Sequence, residues 1–220
     1  MTTNSTPIAL LGAFAAFSIF TFDVIQPVVP AIGTYFHSAP HTTRLILTLF
    51  LFTYGLFQLV WGPIIDACGR KTSFSMSLLL FSIGSIIAMQ SSTMWQLIIG
   101  RTIQGISICC VNNLAFSSTI DITNEKARAT AISYIGMASA ASPIFAPLIG
   151  SLIADYTSWR MIFFISLLMA LGIGVCGLWY LQERPETDQR NTPALNDTFK
   201  QYYRILAMPS IRRVLILNSL

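Results

Sequence analysis

The sequence predicts an all-α membrane protein with six transmembrane helices, and three observations predict it. Apolar residues make up 54% of the 220 residues and charged residues only 10%, against about 25% charged in ordinary soluble domains. The apolar residues gather into six runs, each long enough to cross a bilayer core, which takes about 20 residues of helix. The charges fall almost entirely in the gaps between those runs. The mean hydropathy is +0.65, too apolar for a chain that must cover itself with polar surface. A transmembrane barrel would show alternating segments of about 10 residues, and none is present.

The first run covers residues 8–36 and follows Pro7, a good helix opener. It carries one acid, Asp23, followed by Gln26, Pro27 and Pro30. Each proline removes a backbone donor, so the outer part of this helix is expected to kink or loosen. A polar loop, 37–43, separates it from the second run, 44–65. The segment Gly62-Pro63-Ile64-Ile65-Asp66-Ala67-Cys68-Gly69-Arg70-Lys71 then puts three charges and two glycines into a tight turn. The third run is 72–91 and the fourth 95–118, with Arg101, Gln104, Asn112 and Asn113 inside it. A charged loop, 121–128, precedes the fifth run, 129–154, which holds Pro143 and Pro147. The sixth run is 159–181.

Residues 1–182 thus read as one six-helix bundle. Residues 183–213 read as a linker that ends in an amphipathic helix, with Phe199, Tyr202, Tyr203 and Leu206 set among Lys200, Arg204, Arg212 and Arg213. Residues 214–220 begin a seventh apolar run. Placing the N-terminus in the cytoplasm leaves ten of the 13 Lys and Arg residues inside and only Arg44 and Arg160 outside, with Arg101 within a helix; the positive-inside rule favours that orientation.

The basic residues sit in gaps rather than on one face, which argues against nucleic acid. Cys68, Cys109, Cys110 and Cys176 have no metal-ligand spacing and read as small buried thiols, so no metal site is expected. The segment 1–7 has no Lys or Arg, and the first run is too long for a signal peptide. No nucleophile–histidine pair suggests an enzyme: His37 and His41 share one outer loop.

Two charges lie at membrane depth. An acid exposed to lipid there costs about 2.5–3.5 kcal/mol on insertion scales. Asp23 is therefore expected to face a water-filled cavity or a positive partner and to act as a proton carrier; the alternative is an acid that satisfies backbone freed by Pro27. Arg101 keeps its charge and needs a counter-charge or a polar cavity. It is expected either to face Asp23 across a central cavity, with Gln104 beside it, or to snorkel outward. Of Asn112 and Asn113, one is expected to line the cavity and the other to bond a neighbouring helix. Ala138, Ser142, Ala146, Gly150 and Ala154 recur every four residues and form a stripe that lets helices approach closely.

Four motifs resemble those of the major facilitator superfamily, in family order. They are Gly62-x-x-x-Asp66-x-x-Gly69-Arg70-Lys71 between the second and third runs, Arg101-x-x-Gln104-Gly105, Ala146-Pro147-x-x-Gly150, and Trp159-Arg160-x-x-Phe163. The stretch Asp23-x-x-x-Pro27-x-x-Pro30 is similar to that of Bcr/CflA-type and MdfA-like drug–proton antiporters. The resemblance implies the N-terminal half of a twelve-span fold: six transmembrane helices forming one half of a major facilitator fold in a bacterial inner membrane. It implies export of small drug-like or amphipathic compounds by alternating access. The proton gradient would be the energy source, with no cofactor. Proton coupling and the substrate cavity fall to Asp23, Arg101, Gln104, Asn112 and Asn113. A cytoplasmic gate falls to Gly62, Asp66, Gly69, Arg70 and Lys71, where Arg70 pairs with Asp121 or Glu125, unless the basic pair serves topology alone. Ala146, Pro147 and Gly150 stand where the antiporter packing motif lies, with Ala146 and Ser151 replacing two of its glycines. The partners implied are a small-molecule substrate, the bilayer, and a C-terminal half or a second copy. A non-transporting half and a proton-coupled metabolite symporter are the competing readings.

Overall fold

The computed structural model describes residues 7–122 and 124–181; the expected linker, amphipathic helix and seventh run lie outside these residues. The described chain is helical throughout, with six segments long and apolar enough to span a membrane. The first span is broken. Helix α1 runs Ile8–Asp23, a 3₁₀ turn covers Gln26–Val28, and α2 runs Val29–Tyr35. The break falls where Pro27 and Pro30 cannot donate to the preceding turn.

The other spans are α3, Pro40–Cys68; α4, Arg70–Met89; α5, Met94–Ser117; α6, Glu125–Tyr156; and α7, Trp159–Tyr180. Two of them, α3 and α6, start four residues earlier than hydropathy suggests. Helix α3 begins at Pro40 rather than Arg44, with the proline at its first position, where no amide donor is needed. Helix α6 begins at Glu125 rather than Ala129 because the Asn124 side chain accepts from the amides of Lys126 (2.9 Å) and Ala127 (3.3 Å). Pro63, Pro143 and Pro147 lie inside continuous helices.

Helix α5 is the hub, packing most extensively on α3 and α4 and also on α1. Glycines make that possible. A Cβ on Gly100 would lie 2.8 Å from the Gly84 carbonyl oxygen of α4, and one on Gly105 would lie 2.6 Å from the Phe50 carbonyl oxygen of α3. On the far side, α1 packs against α6 through the small-residue stripe: Ser142, Ala146 and Gly150 are buried. A Cβ on Gly150 would run into the carbonyl oxygen of Val24, beside the break in the first span.

The exterior is apolar, unlike that of a soluble bundle, and polar groups are buried among the apolar core. Leu, Ile and Phe side chains such as Phe52, Leu79, Ile144 and Phe145 are exposed, whereas Ser73, Ser77, Ser85, Arg101, Gln104 and Ser107 are buried. Apolar residues outside and paired polar groups inside are what a hydrocarbon solvent selects.

The buried apolar residues form two clusters. One holds Leu11, Phe14, Phe74 and Ile108, toward the Gly69 end. The other holds Ile32, Ile46, Leu97 and Trp159, toward the opposite end. Between them in sequence along α1 and α5 lie Thr21, Asp23, Arg101 and Gln104.

Candidate functional site

Asp23 is the last residue of α1 and is 5% exposed. One carboxylate oxygen, Oδ1, accepts from Gln26 Nε2 at 2.6 Å. The other, Oδ2, is buried and meets no hydrogen-bond donor. The proline break thus does two things: it ends α1 at the acid, and it turns Gln26 back onto it.

Arg101 is 1% exposed, a guanidinium enclosed by protein. Its Nη1 donates to the Thr21 carbonyl oxygen (3.1 Å) and to Gln104 Oε1 (3.0 Å). Its guanidinium carbon lies 4.1 Å from the centre of the Phe50 ring, a cation–π contact worth about 0.5–2 kcal/mol. Nε and Nη2 have no partner. Gln104 in turn donates to Ser85 Oγ at 2.7 Å. Arg101 therefore does not snorkel; α1 and α3 hold it directly, and α4 holds it through Gln104.

Among the described residues, no ion pair joins Asp23 to Arg101. The structure brings them to the same polar layer and binds Arg101 to the backbone two residues before the acid. It leaves an unpartnered acceptor on one and two unpartnered donors on the other.

The paired asparagines do not split their roles as expected: Asn113 both donates to the Gln58 carbonyl oxygen of the neighbouring helix at 2.9 Å and borders a recess, whereas Asn112 is buried. Asn113, Gln58, Gly62 and Asp66 border a recess of about 500 Å³ between α3 and α5.

At the Gly69 end the turn is a single residue. Gly69 has φ 84°, ψ 162°, a backbone conformation that side chains disfavour, and α4 starts at Arg70. Arg70 is 4% exposed. It pairs with Asp121 and donates through Nη2 to the Ser117 carbonyl oxygen (3.2 Å). Of the two acids expected to meet it, Asp121 is the partner, so this motif residue ties the α3–α4 turn to the end of α5. Asp66 is exposed and Lys71 half-buried. In α6, Ala146 and Gly150 face α1, and Pro147 is half-buried beside them.

Four contributors have no motif to announce them. Gln26, Ser85 and the Thr21 carbonyl hold the two charges, and Phe50 stacks under Arg101. A glutamine three residues after an intramembrane acid is a usable signal for Gln26. A serine in an apolar helix and a backbone oxygen give none. The fourth motif also acquires a role. Arg160 donates to the carbonyl oxygens of Met89 (3.1 Å) and Ser91 (2.7 Å) and to the Tyr35 hydroxyl (3.3 Å). It also lies over the Trp159 and Tyr35 rings, clamping α2, the α4–α5 turn and α7 together.

A broken first span beside a buried Arg-Gln pair, with the four motifs in order, fits one family, and the model of the Major Facilitator Superfamily matches residues 9–218. The chain belongs to the Major Facilitator Superfamily. It is a multi-pass integral membrane protein. Multidrug resistance protein MdtM of Salmonella typhimurium is 27% identical over 190 residues, covering 86% of this chain and 45% of the relative. The protein named vacuolar basic amino acid transporter 5 of Saccharomyces cerevisiae is 28% identical over 144 residues, 66% of this chain and 26% of the relative. MdtD of Pectobacterium atrosepticum is 25% identical over 170 residues, 76% of this chain and 36% of the relative. The chain thus spans less than half the length of these curated relatives. Among solved structures, the human organic anion transporter MFSD10 shares the fold with a TM-score of 0.59 at 16% identity, over 83% of this chain and 49% of that one.

Proposed function

We propose that this superfamily chain supplies the N-terminal six spans of a proton-coupled exporter of small, amphipathic or cationic compounds, working by alternating access in a bacterial inner membrane. In this reading the N-terminus is cytoplasmic and a C-terminal half, or a second copy, completes the cavity. The proton gradient drives it and no cofactor takes part.

One observation carries the reading: a buried carboxylate, Asp23, at the break in the first span, with one oxygen held by Gln26 and the other meeting no donor. A carboxyl in that position can take up a proton from one side and release it to the other when a cationic substrate takes its place. Proton and substrate then exclude each other, which couples their fluxes. Arg101, anchored to Thr21 and Gln104, is the fixed positive charge that receives the emptied carboxylate through its free Nε and Nη2 donors. The 3₁₀ turn Gln26–Val28 is the hinge that lets Asp23 move toward it. Gly69, Arg70 and Asp121, with Gly62, Asp66 and Lys71 around them, form the cytoplasmic gate. The name of one relative, a vacuolar basic amino acid transporter, fits cationic cargo, and that of another, a multidrug resistance protein, fits export of drug-like compounds.

The test is transport of ethidium into inverted membrane vesicles energised with an inward-acid pH gradient, using the full-length protein and its Asp23→Asn variant. Gradient-driven uptake by the parent and none by the variant is the expected result. Undiminished uptake by Asp23→Asn refutes the mechanism.

A further inference from the structure

Ser85 contributes nothing to any motif, yet it lies at the base of the chain of donors that ends on Arg101. It sits on α4 and is fully buried. Its hydroxyl lies 2.8 Å from the Phe81 carbonyl oxygen. A carbonyl only accepts, so the one hydroxyl hydrogen points there, and the side that Ser85 offers to α5 is its lone pairs. Gln104 must therefore present its NH₂ to Ser85, which it does at 2.7 Å. Its other end, Oε1, then faces Arg101 and accepts from Nη1 at 3.0 Å. Donation runs in one direction, from Arg101 to Gln104 to Ser85 to Phe81, while Nη1 also reaches Thr21 on α1.

The backbone is built for this reach. Serine is short, and it meets Gln104 because α4 and α5 nearly touch: a Cβ on Gly84 would lie 2.8 Å from the Gly100 carbonyl oxygen and 3.1 Å from the Gln104 amide nitrogen. Gln104 itself is fully buried, so an amide without this acceptor would not find water in its place.

From this we infer that Ser85 is a positioning residue for the coupling site: by fixing which way the Gln104 amide faces, it decides where the Arg101 guanidinium rests. The inference deepens the proposed function, because it matters for transport only if Arg101 serves Asp23. Without the Ser85 oxygen, Gln104 is free to turn its NH₂ toward Arg101. Nη1 then keeps Thr21 alone, and the guanidinium can rotate.

Two readouts test this on the full-length protein, in variants that elute as the parent does on size exclusion. The first is the ¹⁵N guanidinium spectrum of arginine-labelled protein in nanodiscs, with Arg101 assigned by its loss in Arg101→Lys. Separate Nη signals are expected in the parent and in Ser85→Thr, which keeps the acceptor, and merged signals in Ser85→Ala. A Ser85→Ala spectrum identical to the parent's overturns the inference. The second is ethidium efflux. Ser85→Ala is expected to lose several-fold in rate, to be rescued by Ser85→Thr, and to add nothing in a Gln104→Ala background. An equal loss in that background shows that Ser85 acts by packing and overturns the inference. Should Ser85→Ala not fold, Ser85→Cys, whose sulfur is a weak acceptor, replaces it with the same expectations. A parent that moves no ethidium counts against the proposed function, and the spectrum then decides the role of Ser85 alone.

Discussion

Arg101 reaches the first span at the carbonyl oxygen of Thr21, 3.1 Å away, two residues short of Asp23. The acid takes its hydrogen bond from Gln26 instead. The two intramembrane charges are thus neighbours held apart by separate partners, each with hydrogen-bonding capacity left over. In the proposed mechanism the arginine, tied to backbone, keeps its position and the acid is the part that moves. That division of labour follows from the chain itself: two prolines loosen the segment around Asp23, and Gly100 and Gly105 pack the α5 segment around Arg101 tightly against α4 and α3.

The Arg70–Asp121 pair predicts an asymmetric cycle. Arg70 is 4% exposed and Asp121 48%. Asp121→Ala removes the acid that Arg70 pairs with at the end of α5, and should cost about 1–3 kcal/mol. In an Arg70→Met background the pair is already absent, and the same substitution should cost less than half as much. Thermal unfolding in detergent across the four proteins measures this coupling; equal costs in both backgrounds would show that the pair stabilises nothing.

Gly150 predicts a steric penalty at the first span. A methyl group there collides with the Val24 carbonyl oxygen, so α6 must move off α1. Gly150→Ala should destabilise by about 1–3 kcal/mol, as overpacking does. Gly136→Ala, on the same helix and facing open space, should cost nothing. Melting followed by fluorescence-detected size exclusion compares the two.

Arg160 predicts that charge is not enough. Its guanidinium serves two carbonyl groups and a tyrosine while lying over Trp159. An ammonium cannot reproduce that fork or the stacking. Arg160→Ala should lose about 2 kcal/mol, and Arg160→Lys should recover less than half of it, read from the same melting experiment.

Much of this was visible in the residues. Hydropathy locates all six spans, because hydrocarbon-spanning helices need long apolar runs and the charges fall in the gaps. The two prolines after Asp23 announce the break. Helix ends are less legible where a polar first turn extends a span: Asn124 caps α6 so that it starts at Glu125, four residues before its apolar run, and Pro40 opens α3 inside an apparent loop. A proline does not by itself mark a break, since Pro63, Pro143 and Pro147 leave their helices continuous. At the site, Asp23 and Arg101 stand out because charge at membrane depth is rare. Their holders do not. Ser85 is one of several serines in α4, and the Thr21 carbonyl is a backbone atom that every residue has. Phe50 is one of many aromatics, and only packing shows that it lies beneath a guanidinium.

If Asp23 exchanges a proton for substrate, substrate binding must release that proton. The most direct measurement is proton release, by a pH indicator in weakly buffered detergent solution, when tetraphenylphosphonium binds the full-length protein. Proton release on binding is expected for the parent and none for Asp23→Asn, with Gly136→Ala behaving as the parent. Undiminished proton release from Asp23→Asn would contradict that exchange.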